Sequence, residues 1–198
     1  MSKKRVAVFV SGGGTNLQTL LDAQADGILQ SGEIVLVIAS KPGVYALERA
    51  EKAGVPAFAV PRKELGLPAF EARCLELLEE YRIDFMVTAG FLTIFSEDFT
   101  RRFPRRIINI HPALLPSFGG KGFYGLRVHE EVLKHGVKVT GATVHFVNEV
   151  CDGGEIILQK AVDVLPGDTP ETLQRRVMEQ AEWVLLPRAL EMVCGGAA

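Results

Sequence analysis

The chain has 198 residues, 47% of them hydrophobic and 23% charged, enough for a core of ordinary domain size and too apolar for disorder. Its 22 Lys and Arg against 24 Asp and Glu leave a formal net charge of -2 with no basic stripe for a nucleic-acid backbone, so a small molecule is the default partner. Cys74, Cys151 and Cys194 have neither paired nor zinc-type spacing, so no disulfide framework and no metal centre is expected, and they read as free thiols of a cytoplasmic protein.

In chain order, short Val- and Ile-rich runs alternate with stretches of helical period, the pattern of a mostly parallel sheet covered by helices on both faces. The opening MSKKRVAVFVSGGG holds a strand, Val6 to Val10, too short for a signal h-region, and no run reaches the roughly 18 apolar residues of a membrane span. A glycine turn and a helix from Leu17 to Gln24 follow, then a strand from Ile34 to Ala39 and a helix, VYALERAEKAG, closed by Gly54. Further strands are expected at Pro56 to Val60, Phe85 to Thr88 and Arg106 to Ile110, with helices around Glu71 to Tyr81 and Ser96 to Phe103. The last third changes character. KVTGATVHFVN and GEIILQKAVDV read as an antiparallel hairpin joined by EVCDGG, and a closing helix starts at Thr169 and Pro170 and runs past Trp183 toward Cys194. The whole is expected to be one domain over residues 1–198.

In Ser11-Gly12-Gly13-Gly14-Thr15-Asn16, glycines permit close backbone approach and the following helix offers unpaired N–H groups to an anion. A bland tight turn is an equal reading of the same residues. No Gly-Lys-Ser/Thr ending makes a P-loop, and Leu17 stands where GxGxxG needs its third glycine, which disfavours nucleotide hydrolases and NAD enzymes. If the sheet order reverses between the first strand and Phe85 to Thr88, SGGGTN and AGFLTIF flank the crevice where open α/β sheets bind ligands.

In Ile107-Ile108-Asn109-Ile110-His111-Pro112 the alternation of a strand puts Asn109 and His111 on one side, and Pro112 biases His111 toward extended geometry. Singly, each has a commoner structural explanation. The proline-bounded, glycine-rich HPALLPSFGGKG that follows is the kind of loop that carries function, and an amide donor beside a histidine suits oxyanion and proton chemistry. Asp152 in VCDGG would complete such a centre, although alone it reads as a turn aspartate. His145 is expected to be structural or to support the site, His129 and His135 to be solvated on a polar helix, and Cys151 to be no nucleophile.

Together FVSGGGTNLQTLLDA, TAGFLTIF, INIHPALLPSFGGKG, GATVHFVNEVCDGGEIILQ and GDTPETLQRRVMEQAEWVLLPRAL resemble the folate-dependent formyltransferases over nearly the whole chain, and within them the glycinamide ribonucleotide enzymes of purine biosynthesis. The resemblance implies a Rossmann-like fold, 10-formyltetrahydrofolate as co-substrate without a metal, and glycinamide ribonucleotide as the amine. By matching position it implies Asn109, His111 and Asp152 as the catalytic set, Gly14, Thr15 and Asn16 as the phosphate loop, and Glu182 as a ribose contact. It also implies a folate pocket of Leu92, Thr93, Ile94, Phe95, Asn109, Val147, Asn148, Glu149 and Asp152. Two departures stand out: Thr93 replaces an arginine common in relatives, and the region around Glu182 is one residue longer than the usual pattern. The longer GGKGFYG stretch leaves Lys121 and Tyr124 without an assigned role, and Leu115-Pro116 matches a bond that is cis in relatives. A formyltetrahydrofolate hydrolase and a phosphate-binding module without catalysis are the alternatives. A methionyl-tRNA formyltransferase would be expected to carry a tRNA-binding domain for which 198 residues leave no room. Monomer and homodimer both remain open.

Overall fold

In the computed structural model, which describes residues 2–198, seven strands form one sheet in the order β3-β2-β1-β4-β5-β6-β7. The strands are β1 (Lys4–Val10), β2 (Gly32–Ala39), β3 (Ala57–Ala59), β4 (Phe85–Thr88), β5 (Ile107–His111), β6 (Val139–Phe146) and β7 (Ile156–Asp163). The first five pair in parallel, and β6 and β7 add on antiparallel, as the hairpin grammar of the last third predicts. Winding leaves β1 first toward β2 and then toward β4, so the order reverses between β1 and β4 and opens a crevice at their carboxyl ends.

Alternation along each strand divides the core. Val6, Val8 and Val10 face one layer, with α1 (Thr15–Ala25), α2 (Tyr45–Lys52) and the closing helix, while Ala7 and Phe9 face the other, with α3 (Arg62–Glu80) and α4 (Glu97–Arg101). On that second face Phe9, Phe91, Phe95 and Phe99 interlock, with Phe95 and Phe99 stacked at 4.2 Å. Phe91 and Phe95 thereby anchor the loop after β4 from inside. Leu92 and Ile94, between them in sequence, are left 53% exposed.

Helix bounds follow local chemistry. The reading of α3 from Glu71 started too late: α3 begins at Arg62, and Gly66 in the left-handed region (φ 77°) makes a kink where periodicity breaks. Ser96 caps α4, and the Glu71 carboxylate accepts from its N–H and hydroxyl at 2.6 and 2.7 Å. Thr169 caps α6 (Pro170–Val177) with Pro170 at its first position, as expected, and the cap is a reciprocal box with Thr172. Between α6 and α7 (Trp183–Gly195) lies a π turn, Met178–Glu182. Such a turn has room for the additional residue that the resemblance implies for this region. Leu173, Val177, Ala181 and Leu185 are all buried, yet in an unbroken α-helix each four-residue step rotates the stripe by about 40°. A turn that takes up one additional residue returns the stripe to the core.

One expectation fails in α5 (Leu126–Lys134). His135 is exposed as expected, but His129 is fully buried beside Val128 and Val132, with neither ring nitrogen partnered among the described residues. Burial, with a smaller push from His111, depresses its pKa to about 4. The helix is amphipathic, and His129 falls on its inward face.

After the β6–β7 turn the backbone leaves no room for a side chain at Gly154, where a Cβ would overlap the Phe146 carbonyl oxygen. Gly154→Ala is expected to destabilise the fold by about 1–3 kcal/mol, the range for forced overpacking, and thermal unfolding would register it as a drop of several degrees. An unchanged midpoint would mean that the turn relaxes freely.

Candidate active site

Register sets the centre of the site. Thr88 on β4 lies opposite Asn109 on β5, and Asn109 lies opposite His145 on β6, so three polar side chains form a row across adjacent strands. The Thr88 hydroxyl donates to Asn109 Oδ1 at 2.7 Å, which turns Asn109 Nδ2 toward His145 Nε2 at 3.1 Å. His145 Nδ1 is 2.8 Å from the Phe146 carbonyl, an acceptor only, so the proton sits on Nδ1 and Nε2 accepts from Asn109. One N–H of Asn109 remains for the cleft. The supporting part expected of His145 is thus given a geometry.

Two residues on, His111 shares the face of Asn109, as the alternation predicts, but is only 4% exposed. Its Nε2 donates to the Phe118 carbonyl at 2.8 Å, and its Nδ1 lies 3.5 Å from Asp152 Oδ2. Asp152 reaches this place from the β6–β7 turn, with backbone in the left-handed region (φ 55°), a conformation that costs an L-residue roughly 1–2 kcal/mol. Gly120 N–H donates to Asp152 Oδ2 at 2.9 Å, and His145 Nε2 stands 3.6 Å from Oδ1. Asp152 is therefore more than a turn aspartate.

Proximity of Asp152 would be expected to raise the His111 pKa, but burial wins. Desolvation depresses the imidazole below its ordinary 6.5, against the opposing pull of Asp152 and the Phe118 carbonyl. For Asp152 the balance reverses: burial would raise the carboxyl, but its neighbours, His111 and the Gly120 N–H among them, hold it below the usual carboxylate range. At neutral pH the pair is a neutral imidazole beside an ionised carboxylate. Cys151, half-buried next to Asp152, has its thiol pKa raised by burial and by that carboxylate, which agrees with its reading as no nucleophile.

Two cavities of about 390 and 100 Å³ adjoin here and share Phe91, Ile94, Asn109, Cys151 and Asp152 in their walls. Leu92 and His111 line the larger, and Thr93, Phe95, Val147 and Asn148 the smaller. Lys121 and Tyr124, left without a role by the sequence, face the larger cavity. Glu149 is exposed and lines neither, since the turn after β6 carries it outward. Leu115-Pro116 is cis.

The glycine loop stands at the other end of the crevice and is tied to the loop after β4 through Ser11 Oγ, which accepts from Leu92 N–H at 3.0 Å and lies 2.7 Å from Ser40 Oγ. Gly14 is in the left-handed region (φ 74°), and a Cβ there would come within 2.7 Å of Ala46 Cβ. Arg49 Nε donates to the Gly13 carbonyl at 2.8 Å, a brace that sequence reading missed. Thr15 opens α1, Asn16 is buried, and Asn16 Nδ2 donates to Glu182 Oε2 at 2.7 Å, joining residues 166 positions apart. Burial raises the Glu182 pKa, against the hydrogen bond from Asn16. Among the described residues no group of three or more His, Cys, Asp or Glu side chains is arranged to hold a metal ion. No described helix is long and apolar enough to cross a membrane.

The chain is 41% identical over 180 residues to a chloroplastic phosphoribosylglycinamide formyltransferase of Arabidopsis thaliana and 46% identical over 196 residues to the trifunctional purine biosynthetic protein adenosine-3 of Bos taurus. These alignments take in 90% and 98% of the chain but only 61% and 19% of those longer relatives. The crystal structure of glycinamide ribonucleotide transformylase 1 from Symbiobacterium toebii superposes with a TM-score of 0.90 at 42% identity, over 98% of this chain and 89% of that one. The formyl transferase family model matches residues 4–190, and the chain belongs to the formyl transferase family.

Proposed function

We propose that the chain is one formyltransferase domain that moves the formyl group of 10-formyltetrahydrofolate to the primary amine of glycinamide ribonucleotide, in the cytoplasm and in de novo purine biosynthesis. The observation that carries this reading is the convergence of the Asn109 amide, the His111 imidazole and the Asp152 carboxylate where two cavities meet. Relatives named for this activity lend it support.

The smaller cavity and its apolar rim suit a flat ring system. Ile94, Phe95 and Val147 would pack against it, bringing the formyl carbon beside Asn109. The glycine loop at the far end suits the phosphate, which the N-terminal N–H groups of α1 would receive, while Glu182 takes the ribose. Thr93 supplies no cation to the distal part of the folate.

Transfer then proceeds by direct attack. The amine nitrogen bonds to the formyl carbon, and the carbonyl oxygen gains charge that the free N–H of Asn109 receives. Neutral His111 takes the proton that the attacking nitrogen must lose, and the imidazolium formed lies between Asp152 and the Phe118 carbonyl. The proton passes to the folate nitrogen as its bond to the formyl carbon breaks. This order differs from one that starts from a charged His111, because burial keeps the resting imidazole neutral. A hydrolase would place water where the amine attacks, and the buried Asn16–Glu182 pair beside the glycine loop favours a phosphorylated amine instead.

Asp152→Asn is expected to lower turnover by about 10²- to 10⁴-fold, the range for general acid–base catalysis, in an assay of formyl loss from 10-formyltetrahydrofolate with and without glycinamide ribonucleotide. Unchanged turnover would remove Asp152 from the mechanism, and amine-independent formyl loss by the native chain would mark a hydrolase. The charge balance has its own check by NMR titration of His111. The native imidazole should titrate below 6.5, and in Asp152→Asn lower still, because the substitution removes an influence that raises it and leaves burial unopposed. A higher value in the variant would contradict the assignment.

A further inference from the structure

Asn16 belongs by position to the glycine loop, but its side chain is committed elsewhere. The residue is 8% exposed, its Nδ2 group donates to Glu182 Oε2 at 2.7 Å, and its Oδ1 is buried without a partner among the described residues. The backbone at the same place tells a different story. The first hydrogen bond of α1 runs from Gln18 N–H to the Gly14 carbonyl at 2.9 Å, so the N–H groups of Thr15, Asn16 and Leu17 are the donors the helix itself leaves free. An anion at this helix end has three backbone donors available without the Asn16 amide, one N–H of which the Glu182 carboxylate already holds.

The partner is equally constrained. Glu182 is the last residue of the π turn and 6% exposed, so its carboxylate has little water to hold it in one orientation. The Asn16 amide supplies the orientation. An unsatisfied buried acceptor is disfavoured, and an arrangement that keeps Oδ1 unpartnered in order to aim Nδ2 at Glu182 indicates which end of the amide matters.

We propose that Asn16 is a positioning residue that acts through Glu182, holding its carboxylate for the substrate, and that the substrate's phosphate is left to the backbone N–H groups of Thr15, Asn16 and Leu17. The proposal rests on the reading of Glu182 as a substrate contact. The family resemblance groups Asn16 with the phosphate ligands, and the structure separates its backbone from its side chain.

The test compares Asn16→Ala, Glu182→Ala and the exchange Asn16→Asp with Glu182→Gln, reading KM for glycinamide ribonucleotide, KM for the formyl donor, inhibition by inorganic phosphate, and Tm. Asn16→Ala should raise KM for the ribonucleotide about tenfold, the scale of one charge-assisted hydrogen bond, and leave phosphate inhibition and the donor KM unchanged. The exchange keeps a hydrogen bond between α1 and the closing helix but moves the carboxylate, so Tm should recover while KM stays raised. A parallel loss of phosphate inhibition in Asn16→Ala would make the amide a phosphate ligand and overturn the proposal. So would a lowered Tm with unchanged KM, which would make the pair a mere staple, or an exchange variant with native KM. Unchanged KM in Glu182→Ala would instead remove the reading of Glu182 on which the proposal rests, a failure distinct from a raised KM there with none in Asn16→Ala.

Discussion

The hydrogen-bond ladder joining β4, β5 and β6 is the constraint on which the rest of the site depends. Because Thr88, Asn109 and His145 occupy matched positions on three neighbouring strands, the orientation of each is decided by the next. A hydroxyl that can donate, an amide that does both, and a ring nitrogen left as acceptor can be connected in only one direction. A slip of one residue on β5 would turn Asn109 and His111 to the opposite face, where Ile108 and Ile110 now pack in the core. Hydrophobic burial on one face therefore guards the polar register on the other. The irregularity between Val144 and His145 in the β6–β7 pairing falls next to the row, at the point where β6 meets the turn that carries Asp152.

Burial around this row explains the charges of the His111–Asp152 pair. His111 gains a carboxylate neighbour and a carbonyl acceptor, both of which favour the cation, and still remains neutral because the desolvation of a nearly enclosed ring is larger. Asp152, closer to the cavity and holding a backbone N–H, stays ionised. The two environments move the pKa values in directions that keep an acceptor for a proton and a partner for the cation formed by taking it. The left-handed backbone of Asp152 is the local cost of carrying that carboxylate out of the turn to His111.

Much of this was legible before any coordinates, and the exceptions have identifiable causes. Period-2 alternation places Asn109 and His111 on one face because strand geometry admits no other arrangement, whereas strand–helix alternation only allows the reversal at β1 and β4 that the strand order shows. Asp152 lies 41 positions beyond His111, and only resemblance to a family joined them; no local rule does. The Phe118 carbonyl and Gly120 N–H are backbone groups, which every residue possesses and no sequence pattern marks. His129 was misread because a polar residue type was taken for a polar position, whereas the helix phase shared with Val128 and Val132 points it inward. Glu149 follows Val147 and Asn148, which line the smaller cavity, but is itself exposed on the turn.

The extra residue of the closing helix shows the same limit from the other side. Its presence can be counted in a sequence, but its place cannot, because an insertion may lengthen a loop, shift a helix by 100° or widen one turn. Here the buried stripes on both sides fix the outcome. Leu173 and Val177 before the π turn and Leu185, Leu186, Ala189 and Leu190 after it must all reach the same core, so the surplus is absorbed between them, where Glu182 lies. Farther along the same helix the Glu191 carboxylate accepts from the N–H groups of Gln30 and Ser31 at 2.8 and 2.9 Å, just before β2. The closing helix is thus clamped to the chain's first layer at two points, one of them at the Asn16–Glu182 end. That end joins the residues farthest apart in sequence, whereas the Thr88–Asn109–His145 row is held by adjacent strands.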